Sequence, residues 1–368
     1  MKKNNSLQVL RAVAFLGVFT SHLDLTRFGG FGVEIFLIMS GFLMYVQYSD
    51  PARERLLPNT IAGSFQFAKK KICKLYPLHV ITLIAALPIL LMNNVHKNYA
   101  LLRMLSKIFL NVFLVQAWIP VEEFRYSLNN LSWYLCVCCL AYFIFPYILI
   151  RINKIKKPSN MFFVSTLLVL CQILIGVGVE LCTSDTRLIQ GLTYNFPLYR
   201  CFDFTLGCNL GWLYTYCKKK INEMKTRLFV LTGFATIATI VLVPKIWNIS
   251  FLTWCKNTVV LIPASCLLVL SFSILDLNES NKCISLLIKF GNISAYTYLI
   301  HELVIRYINI FMIRVLSITN TFAVKLFVGI IALLITVLLA LCYEKINWRF
   351  YETGKSKKYK EKHGLWFY

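Results

Sequence analysis

Acidic residues are scarce in this chain: 16 Asp and Glu stand against 39 Lys and Arg in 368 residues. Charged residues of both signs together make up 15%, where soluble domains carry about a quarter. That deficit excludes an ordinary soluble domain. Internal repeats and low-complexity linkers are lacking as well, which excludes a solenoid or a tethered array. Cysteine is not lacking. The thirteen cysteines are an odd number, and most lie inside apolar segments, as Cys136, Cys138, Cys139, Cys171, Cys208, Cys266 and Cys342 do. There they act as small hydrophobes. Cys136, Cys138 and Cys139 share one helix and cannot by themselves close a tetrahedral metal site. Neither a metal nor a disulfide framework is expected.

What is present is apolar. Hydrophobic residues make up 58% and aromatic residues 15%, beside a net charge of +23. The basic residues fall in short clusters between apolar runs. That is the pattern of positive-inside topology rather than of a nucleic-acid interface. The partners it suggests are membrane lipid and an anionic cofactor, with no nucleic acid.

Eleven apolar runs are visible, at 7–23, 31–48, 77–92, 108–119, 131–150, 161–181, 196–216, 228–243, 258–275, 293–315 and 322–343. A bilayer needs about 20 residues per helix, and the run at 108–119 is short. The first run follows Lys2 and Lys3 as a signal peptide would. Arg11 interrupts it and no clean cleavage site follows, so it is expected to stay as the first span. With the N-terminus inside, the cluster from Arg53 to Lys74 falls inside. If 108–119 does not cross, the 151–157 loop, Lys218–Lys220 and the tail from Lys345 are inside too. The expectation is an all-α polytopic integral membrane protein. It has about ten transmembrane helices, both termini cytoplasmic, and one short non-crossing apolar segment on the outer side. The membrane domain covers 1–352, and a basic polar cytoplasmic tail covers 353–368.

Ionisable groups inside spans are costly and mark function. Arg11 and His22 are eleven residues apart, so on a helix they share one face within ~20° and lie ~16 Å apart along the axis. A fixed cation and a titratable base thus sit at different depths of one helix face. Glu34 opens the second span near the end where His22 lies. Lys71 and Lys74 lie one turn apart at the start of the third, and suit the phosphates of a cytoplasmic cofactor. Arg200 and Asp203, at i and i+3, suit an intramembrane ion pair. His301 falls in the ninth span.

These stretches resemble, in order, the motifs of the membrane acyltransferase-3 family, the O-acyltransferases of surface glycans. "LRAVAFLGVFTSH" is similar to its opening Arg-x10-His segment, and "FGVEIFLIMSGFLMY" to its GVxxFFxxSGF stretch, with Ser40. "KICKLYPLH" is similar to its RxxR-[IL]-YP element, with lysines for arginines. "LVQAWIP" and "SLNNLSWYL" resemble its LxQxW and NxxSWxL region, with Asn129 and Trp133. "RCFDFTLG" and "FGNISAYTYLIHELVI" resemble its last two elements. The likeness spans roughly residues 5–352. Two departures stand out: Cys136-Val137-Cys138-Cys139 replaces Ser-Val-Glu, and Lys71 and Lys74 keep the charge but lose bidentate geometry.

The resemblance implies an acetyl or similar group donated by cytoplasmic acetyl-CoA or another acyl-CoA. It would pass to a hydroxyl of an extracytoplasmic or lipid-linked sugar of a surface polysaccharide, at a bacterial plasma membrane. His22 would be general base or transient acyl carrier, Glu34 would orient it, and Arg11 would bind phosphate or the thioester oxyanion. Lys71 and Lys74 would hold the nucleotide end. Ser40, Asn129, Trp133, Arg200, Asp203 and His301 are substrate or structural candidates. Some relatives carry a fused soluble transferase domain. Here the expectation is that the chain acts alone or with a separate glycan-assembly or transferase partner. A polytopic secondary transporter or glycolipid exporter is the alternative, and dependence on acyl-CoA separates the two.

Overall fold

The computed structural model describes residues 4–94, 100–247, 249–277, 279–314, 316–317 and 321–354. Among these residues the chain is helical, with no strand. Twelve helices have twelve residues or more: α1 (Asn5–His22), α2 (Gly29–Tyr48), α3 (Ile61–Ile72), α4 (Tyr76–Asn94), α5 (Ala100–Val112), α6 (Trp133–Ile152), α7 (Pro158–Cys182), α8 (Pro197–Glu223), α9 (Lys225–Trp247), α10 (Ile262–Ile274), α11 (Lys282–Arg314) and α12 (Phe322–Gly354). The basic tail expected from 353 lies outside the described residues from 355 on.

Each of the ten expected spans falls on a helix. Among the described residues six helices are long and apolar enough to cross a bilayer: α2, α6, α7, α9, α11 and α12. A seventh span results if α3 and α4, which meet at 63°, count as one bent element. The remaining expected spans fall on α1, α8 and α10. α10 has only thirteen residues. α1 and α8 carry Arg11, Arg200 and Asp203, all buried. The apolar run at 108–119 is not one helix. α5 ends at Val112, Leu114 takes a positive φ of 54°, and a short turn of helix follows at Gln116–Trp118.

Local sequence explains the starts. Asn4 caps α1 by accepting from the Leu7 amide at 3.2 Å, satisfying one of the free N–H groups of a helix N-terminus. Its Nδ2 also donates to Ser273 O, and Ser6 Oγ donates to Leu275 O, fastening the start of α1 to the end of α10. α7 and α8 each begin with proline, a residue whose fixed φ and missing N–H suit a first turn. The outer helices α7, α9 and α12 leave large apolar side chains exposed, among them Phe162, Leu174, Phe234 and Leu338. So much uncovered apolar surface fits a lipid solvent.

Inside this sheath α2 packs on α8 and α1 packs on α11. Both pairs run parallel, because contacts advance in the same sense on each partner. Glu34 meets Arg200 and Tyr45 meets Gly211. Gln8 meets Gly291 and Arg11 meets Ser294. The close approach of α2 and α8 requires Gly207, where an added Cβ would lie 2.1 Å from the Ile38 carbonyl oxygen. Backbone cannot yield there, so Gly207→Ala forces the helices apart. The expected result is a loss of about 1–3 kcal/mol, typical of overpacking, read as a lower unfolding midpoint in detergent.

Candidate active site

Among the described residues, two cavities within the bundle hold several of the expected site residues. The first is narrow, about 90 Å³, and Arg11, Lys71 and Lys74 all face it. The structure thus brings together three cations from α1, α3 and the turn after α3. No carboxylate is among the residues lining it. Arg11 is 9% exposed and its Nε donates to Ser294 Oγ at 3.1 Å. Lys71 lies 5.0 Å from the centre of the Tyr48 ring. Lys74, in the turn between α3 and α4, is held below the ordinary lysine range by burial and then by Lys70. Both lysines are only half-buried, so they mark the open end and Arg11 the closed one. The walls between are apolar or weakly polar: Phe36, Leu43, Tyr134, Cys138 and Tyr142, with Ser40 among them. Ser40 Oγ lies 3.5 Å from the Tyr142 hydroxyl.

The second cavity is wider, about 630 Å³, and His22 lines it. Asp24 and Arg27 are exposed at its rim. Its walls mix the aromatic Tyr126, Trp133 and Tyr194 with the amides Asn130, Gln190 and Asn257. The His22 ring meets the His301 ring edge-on at 5.3 Å. His301 is fully buried, and its Nδ1 lies 3.1 Å from Thr297 O. A proton on Nδ1 donates to that carbonyl, which leaves Nε2 as the basic nitrogen.

Glu34 is not at the imidazole. Its carboxylate pairs with Arg200 at 2.9 Å, and Arg200 also pairs with Asp203 at 2.9 Å, all three fully buried. Gln172 Nε2 donates to Asp203 Oδ1 at 2.7 Å. The expected Arg200–Asp203 pair is therefore present as part of a triad, and the role of orienting His22 is withdrawn from Glu34. The reason is geometric. Gly29 and Val33 face the His22 cavity, while Glu34, the next residue on the helix, points toward α8.

Asn129 is likewise a fastener. Its Nδ2 donates to Thr82 Oγ1 at 2.9 Å and Leu299 O at 2.8 Å, and its Oδ1 accepts from the Leu131 amide. Ser132, Gln116 and Asn111 extend this buried network to α5. The network fixes the start of α6 and hence Trp133. Cys136 Sγ donates to Gln116 Oε1 and belongs to the same network. All thirteen cysteines are free. Among the described residues no group of three or more His, Cys, Asp or Glu side chains could hold a metal ion.

Residues not named as site candidates also line these cavities, two of them inside the last motif. Ser294 and Tyr298 stand on the face of α11 that carries His301, at i, i+4 and i+7. That spacing is readable in "SAYTYLIH" and could have identified them. Gln190 and Asn257 come from segments far away in sequence, and no local pattern marks them.

A family model described as an acyltransferase domain matches residues 4–341. No curated protein and no solved structure matches the chain. That match covers nearly the whole bundle, including Arg11, His22, both lysines and the helices that frame the two cavities, and on it the chain belongs to the membrane acyltransferase-3 family, as an acyltransferase of groups other than amino-acyl groups.

Proposed function

We propose that this enzyme moves an acetyl or similar acyl group from acyl-CoA, bound at the Arg11–Lys71–Lys74 cavity, to a sugar hydroxyl in the His22 cavity. The observation that carries the reading is the division of labour between the cavities. One is narrow, cationic and free of carboxylates in its lining; the other is wide, amide-rich and aromatic, with an imidazole in its wall. An anionic donor with a thin acyl arm suits the first. A carbohydrate, which combines many hydroxyls with apolar ring faces, suits the second.

The chemistry follows from the groups present. A neutral imidazole accepts the proton of the sugar hydroxyl at near-neutral pH. The oxygen attacks the thioester carbonyl and the C–S bond breaks. The CoA thiolate leaves and takes up a proton. Arg11, at the closed end of the narrow cavity and ~16 Å along the helix from His22, holds donor charge while the thin acyl arm reaches on to the wide cavity. Lys71 and Lys74 hold donor phosphates. We place the enzyme in a bacterial plasma membrane, with the donor cavity on the cytoplasmic side and a polysaccharide or lipid-linked sugar as acceptor.

The experiment is transfer of label from radiolabelled acetyl-CoA by membranes containing the chain. Label found in glycan supports the reading. No transfer across several acyl donors and acceptors overturns it in favour of a transporter. Within the same assay, Lys71→Ala and Lys74→Ala are each expected to raise the donor KM about tenfold or more, the worth of one charged hydrogen bond. kcat should change little, because phosphate contacts are the same in ground and transition states. Lys74 loses its proton at lower pH than an ordinary lysine, and only the charged form holds phosphate. Donor affinity should therefore weaken as pH rises through that lowered range, and the slope should flatten in Lys74→Ala.

A further inference from the structure

Four helices line both cavities, and each does so with different stretches. α1 offers Arg11 to the first and His22 to the second; α2 offers Ser40 and then Val33; α6 offers Cys138 and then Trp133. On α11, Ser294 faces the first cavity, while Tyr298 faces both. The cavities are therefore stacked along the bundle axis, and Tyr298 is the one lining residue they share. Its ring is 5% exposed. It lies 5.3 Å from Tyr134 and 6.0 Å from Phe36, both lining the first cavity, and 6.0 Å from His301, the neighbour of His22. Its hydroxyl is buried and has no hydrogen-bond partner among the described residues, an unusual state for a buried phenol that a passing polar group would relieve.

We propose that the Tyr298 side chain is the partition between the two cavities, so that any group moving from the Arg11 side to the His22 side passes its ring. The ring closes the path by volume, and the hydroxyl offers a donor to a carbonyl in transit. That an acyl group is what passes rests on the transferase reading. The partition itself does not, and its test needs no acyl-CoA.

The full chain is reconstituted in liposomes loaded with a pH-sensitive dye, and proton leak is driven by a potassium–valinomycin potential. Tyr298→Phe keeps the ring and should leave the vesicles as tight as wild type. Tyr298→Gly and Tyr298→Cys remove the ring and should raise the leak tenfold or more. Treating the Tyr298→Cys protein with a benzyl thiosulfonate forms a benzyl mixed disulfide on the thiol, with a sulfinate as leaving group; this replaces the lost volume and should return the leak toward wild type, while wild type treated alike is unchanged. A merely structural tyrosine would show no such repair. Leak within twofold of wild type in a monodisperse Gly or Cys protein overturns the partition, as does a leak that the benzyl disulfide leaves unaltered. Transfer measured in the same preparations separates the two ideas. Wild-type transfer with no leak in the variants sinks the partition alone, and leak without any wild-type transfer sinks the transferase reading alone.

Discussion

Membranes containing His22→Ala are expected to transfer about a thousandfold less acyl group than wild type, within the ~10²- to 10⁴-fold range a general base contributes. The variant should reach the membrane in normal amounts. His22 stands at the last position of α1, half-buried in the wall of the wide cavity, with the His301 ring against it. Removing the imidazole leaves Arg11 on Ser294 and leaves both lysines in place, so donor KM stays near wild type while kcat falls. Added imidazole fits the vacated space and restores part of the rate. Transfer that persists near wild-type level in His22→Ala shows that the base is another group. His301 is then the first to test, since its Nε2 is the basic nitrogen there. His301→Ala behaves differently under the present reading. That ring packs on Phe15 at 5.1 Å and Phe19 at 5.8 Å, so its loss lowers stability as well as rate.

The second large effect is on folding. Arg200→Met leaves two fully buried carboxylates, Glu34 and Asp203, without their shared cation. Breaking a buried pair from one side costs about 3–5 kcal/mol, a large share of the ~5–15 kcal/mol that holds a typical domain together. The measurement is the unfolding midpoint in detergent, with yield of monodisperse protein beside it. Arg200→Met should give little or none. Removing the carboxylates together with the cation, as Glu34→Gln, Asp203→Asn and Arg200→Met combined, should recover much of the yield, because no charge is then left unpaired. Glu34→Gln alone keeps the Arg200–Asp203 pair and should fall between. This series also tests the reassignment of Glu34. A side chain that oriented His22 would lower kcat on mutation and leave stability alone, whereas a member of the triad lowers stability first.

Much of the architecture was readable before any coordinates. Six of the ten expected spans fall on helices long and apolar enough to cross a bilayer, seven if α3 and α4 form one bent span, because runs of apolar residues bounded by basic clusters are a local property that the bilayer solvent imposes on each segment separately. The shared face of Arg11 and His22 followed from helix period alone. So did the Arg200–Asp203 pair, since i and i+3 are neighbours on any helix. Glu34 was misread for the opposite reason. Its closeness to His22 was inferred from both lying at the same end of adjacent spans, and depth does not say which way a side chain turns. α2 turns Val33 toward the His22 cavity and Glu34 toward Arg200 on α8, on the same side of the bundle as the close approach of Gly207 to Ile38.

The sequence by itself therefore determined a helical membrane protein, the family it belongs to, and which charged residues lie within its apolar segments. Those features are written in composition, periodicity and short motifs. Only the tertiary structure decided which charges share a chamber. Arg11 meets Lys71 and Lys74 across three elements, and Glu34 is taken by Arg200 from a helix more than a hundred residues away. Gln190 and Asn257 join His22 from distant segments, and Tyr298 stands between two cavities that no linear pattern announces. Such groupings depend on how helices rotate and pack against one another, and packing is a property of the whole bundle rather than of any one segment.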